Sequence, residues 1–330
     1  MKALLMVMAA MIGCGVHQAR AADFSRAKID VIVKAATSRY GAAVFDGARQ
    51  AARDLGLSVA MLGAQSERDA AQEVQILKNA TAAKPTGIVI APADPRALAP
   101  PIAAATKAGI PVIVIDSAAN TKDYAALLAT DDEAAGKRAA GAMEHCVRRR
   151  RGKAAGEVAY LTALAGSRPL GGRYKGFVEG LKRFPRLKVA VHRVGKDNAA
   201  RALPASERLL AGDPDLVGIF VDDGVEVDGA SMAFAKMTRA DRVCLVAFGA
   251  SRQRIAFVRA GLIDALLVQN PYMMGYAGVW YALAAAHGVV LPKYVDTGAS
   301  VVTEANIDTR KIAGLLDPGK YVLSPFLGAP

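Results

Sequence analysis

The sequence predicts an α/β protein built as two doubly wound parallel-sheet lobes. Three observations carry that expectation. The 330 residues are 53% hydrophobic and 22% charged, enough for about two domains with a core each. From Asp30 onward, short apolar runs alternate with helix-length amphipathic stretches, the order of parallel sheets covered by helices on both faces. Ten such runs are too many for one comfortable sheet.

The strands are expected at Val31–Val33, Val59–Leu62, Gly87–Ala91, Val112–Ile115, Leu127–Ala129, Val158–Leu161, Val189–Val194, Val217–Phe220, Val243–Phe248 and Ala265–Val268. Helical faces lie between most of them. Val44, Ala48, Ala51 and Leu55 recur at i, i+4, i+7 and i+11, and Phe177, Leu181 and Phe184 do so over two turns. The segment Leu127–Asp132 follows a strand without the usual helix, as a passage between lobes would. Arg148-Arg149-Arg150-Arg151-Gly152-Lys153 ends a helix just before a strand, where basic charge suits the helix dipole.

At the N-terminus Lys2 precedes an apolar run, Ala3 to Ile12, far short of the ~20 residues that span a bilayer. It reads as a secretory signal peptide. Ala19-Arg20-Ala21 offers a cleavage site that removes residues 1–21; alternatively Met11-Ile12-Gly13-Cys14 resembles a lipobox that would anchor the chain through Cys14. Either way the protein is expected to be exported, to the periplasm. Loss of Lys2 and Arg20 lowers the formal charge from +12 to +10.

Several chemistries are disfavoured. Three cysteines (Cys14, Cys146, Cys244) and four scattered histidines give no metal-ligand spacing. Cys146 and Cys244 read most economically as buried small hydrophobes, with a bridge between them left open. Gly166 to Arg173 lacks the Gly-Lys-Ser/Thr ending of a phosphate loop, and neither a dinucleotide fingerprint nor a nucleophile elbow occurs. No cofactor is expected. No aromatic residues interleave the arginine run, so nucleic acid is not expected either.

Two stretches, Pro85-Thr86-Gly87-Ile88-Val89-Ile90-Ala91-Pro92-Ala93-Asp94 and Ala108-Gly109-Ile110-Pro111-Val112-Ile113-Val114-Ile115-Asp116-Ser117, resemble the periplasmic sugar-binding proteins of ABC importers, of the ribose- and galactose-binding type. Further matches follow in order: Ala129-Thr130-Asp131-Asp132 with Gly136, Arg173-Tyr174-Lys175-Gly176-Phe177, Asp213-Pro214-Asp215, Gln269-Asn270-Pro271 and Val295-Asp296-Thr297-Gly298. The resemblance covers residues 28–308. It implies two similar lobes joined by three crossings, one from 28–130 plus 270–297 and the other from 131–269 plus 298–330, with a ligand in the cleft between them.

Carried over by position, the resemblance implies that Asp116 accepts from sugar hydroxyls, that Arg173 reaches the ligand and that Gln269 contacts it near a crossing. Tyr40 stands where the family has the first of two aromatics, Ser38 at a polar position, and Lys34 where some members carry lysine; Ser117 adjoins Asp116. Each has a structural alternative: a helix cap for Asp116, an intralobe ion pair for Arg173, hinge satisfaction for Gln269, helix-start packing for Tyr40. Asp223 replaces a family asparagine, Gly249 a second carboxylate and Gly41 the second aromatic, while Asp197 stands loosely where a cleft aromatic would. A small neutral or weakly charged polyol or modified sugar is therefore expected, rather than a standard ribose site.

The implied function is that of a non-enzymatic, monomeric solute-binding protein that hands its polyhydroxylated ligand to an ABC permease. A sensor subunit presenting its ligand to a chemoreceptor or histidine kinase is the alternative. The ligand-sensing half of a transcription regulator is a weaker one, because a DNA-binding headpiece needs roughly 50–60 residues before the first strand.

Overall fold

The computed structural model describes residues 24–67, 69–162, 168–194, 199–212, 214–222, 224–237 and 242–317. The leader 1–21 with Cys14, and the site candidates Asp197 and Asp223, lie outside them. The chain forms two compact units. One comprises the chain up to Thr130 together with Asn270–Thr297; the other comprises Asp131–Gln269 together with the chain from Gly298.

The first unit is a six-stranded parallel sheet. Its strands are β1 (Lys28–Val33), β2 (Ser58–Gly63), β3 (Gly87–Ile90), β4 (Val112–Ile115), β5 (Ala126–Ala129) and β11 (Tyr294–Asp296), in the order β11-β5-β4-β3-β1-β2. The connecting helices are α1 (Arg39–Leu55), α2 (Ala70–Ala82), α3 (Ala99–Lys107) and α9 (Pro271–Ala286). Every residue of β3 and β4 is buried, so helices cover both faces. On the α2 and α3 side, Ile32, Ile88, Ile90, Val112 and Val114 pack with Leu77 and Ile102. Each such side chain contributes ~1.5–3 kcal/mol relative to exposure. On the opposite side α1 crosses α9 closely: a Cβ at Gly47 would collide with the backbone of Tyr272, and one at Gly275 with that of Val44. The chain leaves β1 toward β2 and then returns to β3 on its other side. That reversal places a crevice at the carboxyl ends of β1 and β3.

The second unit repeats the scheme with β6 (Gly156–Thr162), β7 (Leu187–Val194), β8 (Leu216–Val221), β9 (Cys244–Phe248), β10 (Ala265–Gln269) and β12 (Ala299–Val302), in the order β12-β10-β9-β8-β6-β7. Only β12 is antiparallel to its neighbour. Its helices are α4 (Asp132–Arg151), α5 (Arg168–Leu181), α6 (Ala199–Gly212), α7 (Gly224–Lys236), α8 (Arg252–Arg259) and α10 (Arg310–Leu316). The reversal falls between β6 and β8.

The ten expected strands are β1 to β10. The two extra strands, β11 and β12, have three and four residues and line the edges of their sheets. Neither has a continuous apolar run, because an edge strand is half-exposed. The cysteines also depart from the more economical reading: Cys146 on α4 and Cys244 at the start of β9 form a disulfide across 98 residues of sequence, their Cα atoms 6.1 Å apart. The arginine run behaves as the dipole argument expects. It fills the last turn of α4 before the left-handed cap Gly152, with Arg148 on Glu144 and both Arg149 and Arg150 on Asp264.

Candidate ligand site

In the first unit the strand ends gather four of the expected residues. Asp116 follows β4 with φ +64°, the left-handed region that a β-carbon disfavours. Ser117 N–H donates to Ile115 O at 2.7 Å, closing a three-residue turn around it, and Asp116 N–H donates to Leu128 O at 3.0 Å. Such a conformation costs of order 1–3 kcal/mol and persists only where neighbours over-determine it. Those neighbours are present. Lys34 Nζ, just past β1, lies 2.6 Å from Asp116 Oδ2 and donates to Ser117 Oγ at 2.7 Å. Ser117 Oγ donates in turn to Asp116 Oδ2 at 3.3 Å, and Tyr40 Oη donates to Asp116 Oδ1 at 3.0 Å. The lysine and aspartate side chains retain 24% and 14% exposure, so a ligand can still reach both. One of the three ammonium donors of Lys34 has no partner among the described residues.

Ser38 does a different local task. It is the N-cap of α1, its Oγ accepting from Gly41 N–H at 2.9 Å and donating to Ala35 O at 3.0 Å. Behind the cluster lies Glu73, fully buried in the first turn of α2. Its Oε2 accepts from Ala93 N–H at 2.8 Å in the turn after β3, and Oε1 has no partner. Burial raises its pKa to about 7, against smaller lowering by Ala93 and by the charge of Lys34.

In the second unit Arg173 is the centre. Its Nε donates to Asp132 Oδ1 at 2.8 Å and its Nη1 to Asp222 O at 2.9 Å, while the guanidinium carbon sits 3.5 Å above the Phe248 ring. Nη2 has no partner among the described residues. The arginine can sit there because α4 and α5 touch through glycines: a Cβ at Gly136 would collide with Arg173 O, and one at Gly176 with Glu133 O. Tyr160 donates to buried Asp222; desolvation first and the neighbouring carboxylate second push its pKa far up, so the phenol stays a donor. Arg254 ties the loops after β8 and β9 together. It donates to Gly224 O at 2.6 Å and Gly249 O at 3.2 Å while paired with Asp228 at 2.8 Å. Gly249 has φ +84°. Thr162, at the end of β6, has a buried hydroxyl without a partner among the described residues.

The structure thus brings Lys34, Tyr40, Asp116 and Ser117 together in one unit and surrounds Arg173 with Asp132, Asp222 and Phe248 in the other. Gln269 is half-buried at the end of β10, where the chain leaves the second unit. The sequence reading passed over Glu73, Tyr160, Asp222 and Arg254. Asp222 had a signal, since it is the residue directly after β8. The others are set by loops that fold back from elsewhere. The grouping of potential metal ligands among the described residues is Cys146, Cys244 and Asp264. Its sulfurs are bonded to each other and its carboxylate is held by Arg149, Arg150 and Leu245 N–H, so it offers no thiolate for a metal.

The chain is similar to several known proteins. The family profile described as periplasmic binding protein domain matches residues 29–288. A carbohydrate transporter solute-binding protein from Agrobacterium radiobacter, solved with D-arabinose, is 37% identical, with a TM-score of 0.79 over 88% of this chain and 99% of that one. A second solute-binding protein, from Agrobacterium vitis with bound D-fucose, is 32% identical, with a TM-score of 0.75 and the same two coverages. The D-allose-binding periplasmic protein of Escherichia coli (strain K12) is 24% identical over 277 residues, 82% of this chain and 88% of that protein. With its two α/β units and a family profile that matches residues 29–288, the chain belongs to the periplasmic binding protein family.

Proposed function

We propose that the protein captures a monosaccharide, with the Lys34–Asp116 cluster of the first unit and Arg173 of the second as its ligand groups, and delivers it to an ABC-type permease. The observation that carries this reading is the Asp116 carboxylate, fixed by three side chains at the strand ends yet still partly exposed. A carboxylate held so accepts from vicinal hydroxyls, and Lys34 beside it supplies a donor, as the guanidinium of Arg173 does from the second unit. Each cation is already balanced by Asp116 or Asp132, which suits a neutral ligand. D-Arabinose and D-fucose, bound by the two relatives, both lack a hydroxymethyl group at C5 of the pyranose ring, arabinose having no sixth carbon and fucose a methyl there; the ligand we favour is therefore an aldopentose or a 6-deoxyhexose. A relative described as a carbohydrate transporter component favours delivery to a permease over presentation to a chemoreceptor or kinase. The Cys146–Cys244 disulfide supports an oxidising compartment, as an exported chain would meet.

Isothermal titration against D-arabinose, D-fucose, D-ribose, D-allose and D-galactose tests the proposal. Tightest binding is expected for one of the first two. Absence of submillimolar binding by any of the five overturns the sugar class. Mass spectrometry of solute released from freshly purified, denatured protein identifies the ligand directly.

A further inference from the structure

The foot of the second unit carries charge that the ligand site does not use. α4 and α5 pack side by side, and each ends at the sheet edge where strands begin. Gly156 N–H donates to Arg186 O at 2.9 Å, which joins the turn after α4 to the turn after α5. On these turns Arg151, Lys153, Arg183 and Arg186 are all exposed, and none has an ion pair among the described residues. The nearby acids are largely matched: Glu144 pairs with Arg148 at 3.2 Å, Glu179 with Lys182 at 2.6 Å, and Asp264 serves two arginines at once. Glu157 and Asp215, at the feet of β6 and β8, offset the excess only in part. The α4 dipole does not absorb it either, since that field decays within the last turn and Lys153, Arg183 and Arg186 lie beyond it.

The composition of the patch selects its partner. A protein interface needs aromatic or aliphatic anchors at its centre, and single-stranded nucleic acid needs aromatic platforms. The large hydrophobic side chains exposed among the described residues are Met61, Met232, Val290 and Tyr294, none of which lies on these turns. An anionic lipid surface asks only for clustered mobile cations within a screening length of it. We propose that Arg151, Lys153, Arg183 and Arg186 form a docking surface for anionic phospholipid headgroups. It lies at the C-terminal end of α5, while Arg173 stands near that helix's start, so docking leaves Arg173 clear of the bilayer. The inference does not depend on which sugar binds; only its benefit, a raised concentration near a permease, rests on the transport reading.

The test is co-sedimentation of the purified protein with phosphatidylglycerol–phosphatidylethanolamine vesicles and with pure phosphatidylcholine vesicles. Binding to the first and not the second is expected at low salt, with loss near 1 M salt, where screening falls to ~3 Å. The variant Arg151→Glu/Lys153→Glu/Arg183→Glu/Arg186→Glu should bind at least a hundredfold more weakly. A control of equal charge change, Lys78→Glu/Lys107→Glu/Lys122→Glu/Arg310→Glu, should lose less than tenfold. Circular dichroism confirms that both variants are folded; should the quadruple change unfold the protein, the pairs Arg151→Glu/Lys153→Glu and Arg183→Glu/Arg186→Glu are compared instead. Equal losses in patch and control, or no binding to anionic vesicles by the unaltered protein, overturns the assignment.

Discussion

Lys34 Nζ and Asp116 Oδ2 stand 2.6 Å apart, although 82 residues separate them in sequence and Asp116 adopts a backbone conformation that resists its side chain. The pair explains why an aspartate tolerates φ +64°: its carboxylate is fastened from three sides. Asp116→Gly should relieve the backbone while deleting the acceptor. The expected outcome is sugar affinity at least tenfold lower, from a lost contact worth about 1–3 kcal/mol, with thermal stability no worse than that of Asp116→Ala. Calorimetric titration and melting curves on the two variants check both halves.

Glu73 predicts a pH dependence of stability. Its folded pKa, about 7, lies above the ordinary 4.5, so between those values the folded state holds a proton that the unfolded state has released. Stability therefore falls as pH rises through that window, and the loss is complete above about 7, amounting to roughly 3 kcal/mol from this group. Glu73→Gln keeps an acceptor for Ala93 N–H but cannot ionise. Its melting temperature should change several degrees less between about pH 5 and about pH 8 than that of the parent. Identical slopes for the two proteins would refute the assignment.

Gly249 tests the site from the second unit. At φ +84° any β-carbon is strained, so Gly249→Ala and Gly249→Asp should each lose ~1–2 kcal/mol of stability. Beyond that shared cost, the aspartate should weaken sugar binding by crowding the site and bringing in a charge that must be desolvated. If the two variants bind equally well, position 249 does not face the ligand.

The disulfide closes a 98-residue loop between α4 and β9. Replacing both cysteines by alanine should cost about 2–5 kcal/mol, mostly by freeing the unfolded chain. Denaturant titration of the double variant, beside the parent with and without reductant, measures it. The reduced parent should match the variant to within about 1 kcal/mol.

Gly176 lets α5 approach the Glu133 backbone, and Arg173 lies one turn earlier on the same helix. Gly176→Ala should therefore lower stability by ~1–3 kcal/mol and weaken sugar binding as well, because Arg173 moves with the helix. A variant that melts lower yet binds sugar normally would show that Arg173 does not need this contact.

What the sequence reveals follows from how locally each feature is determined. β3 and β4 are legible because both their faces are buried, so Ile88-Val89-Ile90 and Val112 to Ile115 run apolar without interruption. β11 and β12 are not, since each is defined by the edge it joins rather than by its own residues. The placement of Asp116 just past β4 and of Arg173 on α5 is legible by position along a recognisable pattern. Glu73 and Arg254 are not: both serve turns about 20 residues away or more, Ala93 for the one and Gly224 for the other. The Cys146–Cys244 bridge fails for the same reason at greater range, as nothing near either cysteine announces its partner.

The late arrival of α9 and β11 governs how the first unit can be assembled. Its core lacks a helix and an edge strand until residues 270–297 exist, roughly 140 positions after the rest of the unit. At about 5–20 residues per second, that delay lasts roughly 7–28 s on the ribosome. Throughout it, the Gly47 face of α1 has no Tyr272 to close against. Until then the first unit has one hydrophobic face unsealed, so its native packing is completed only after β6 to β10 of the second unit have been made.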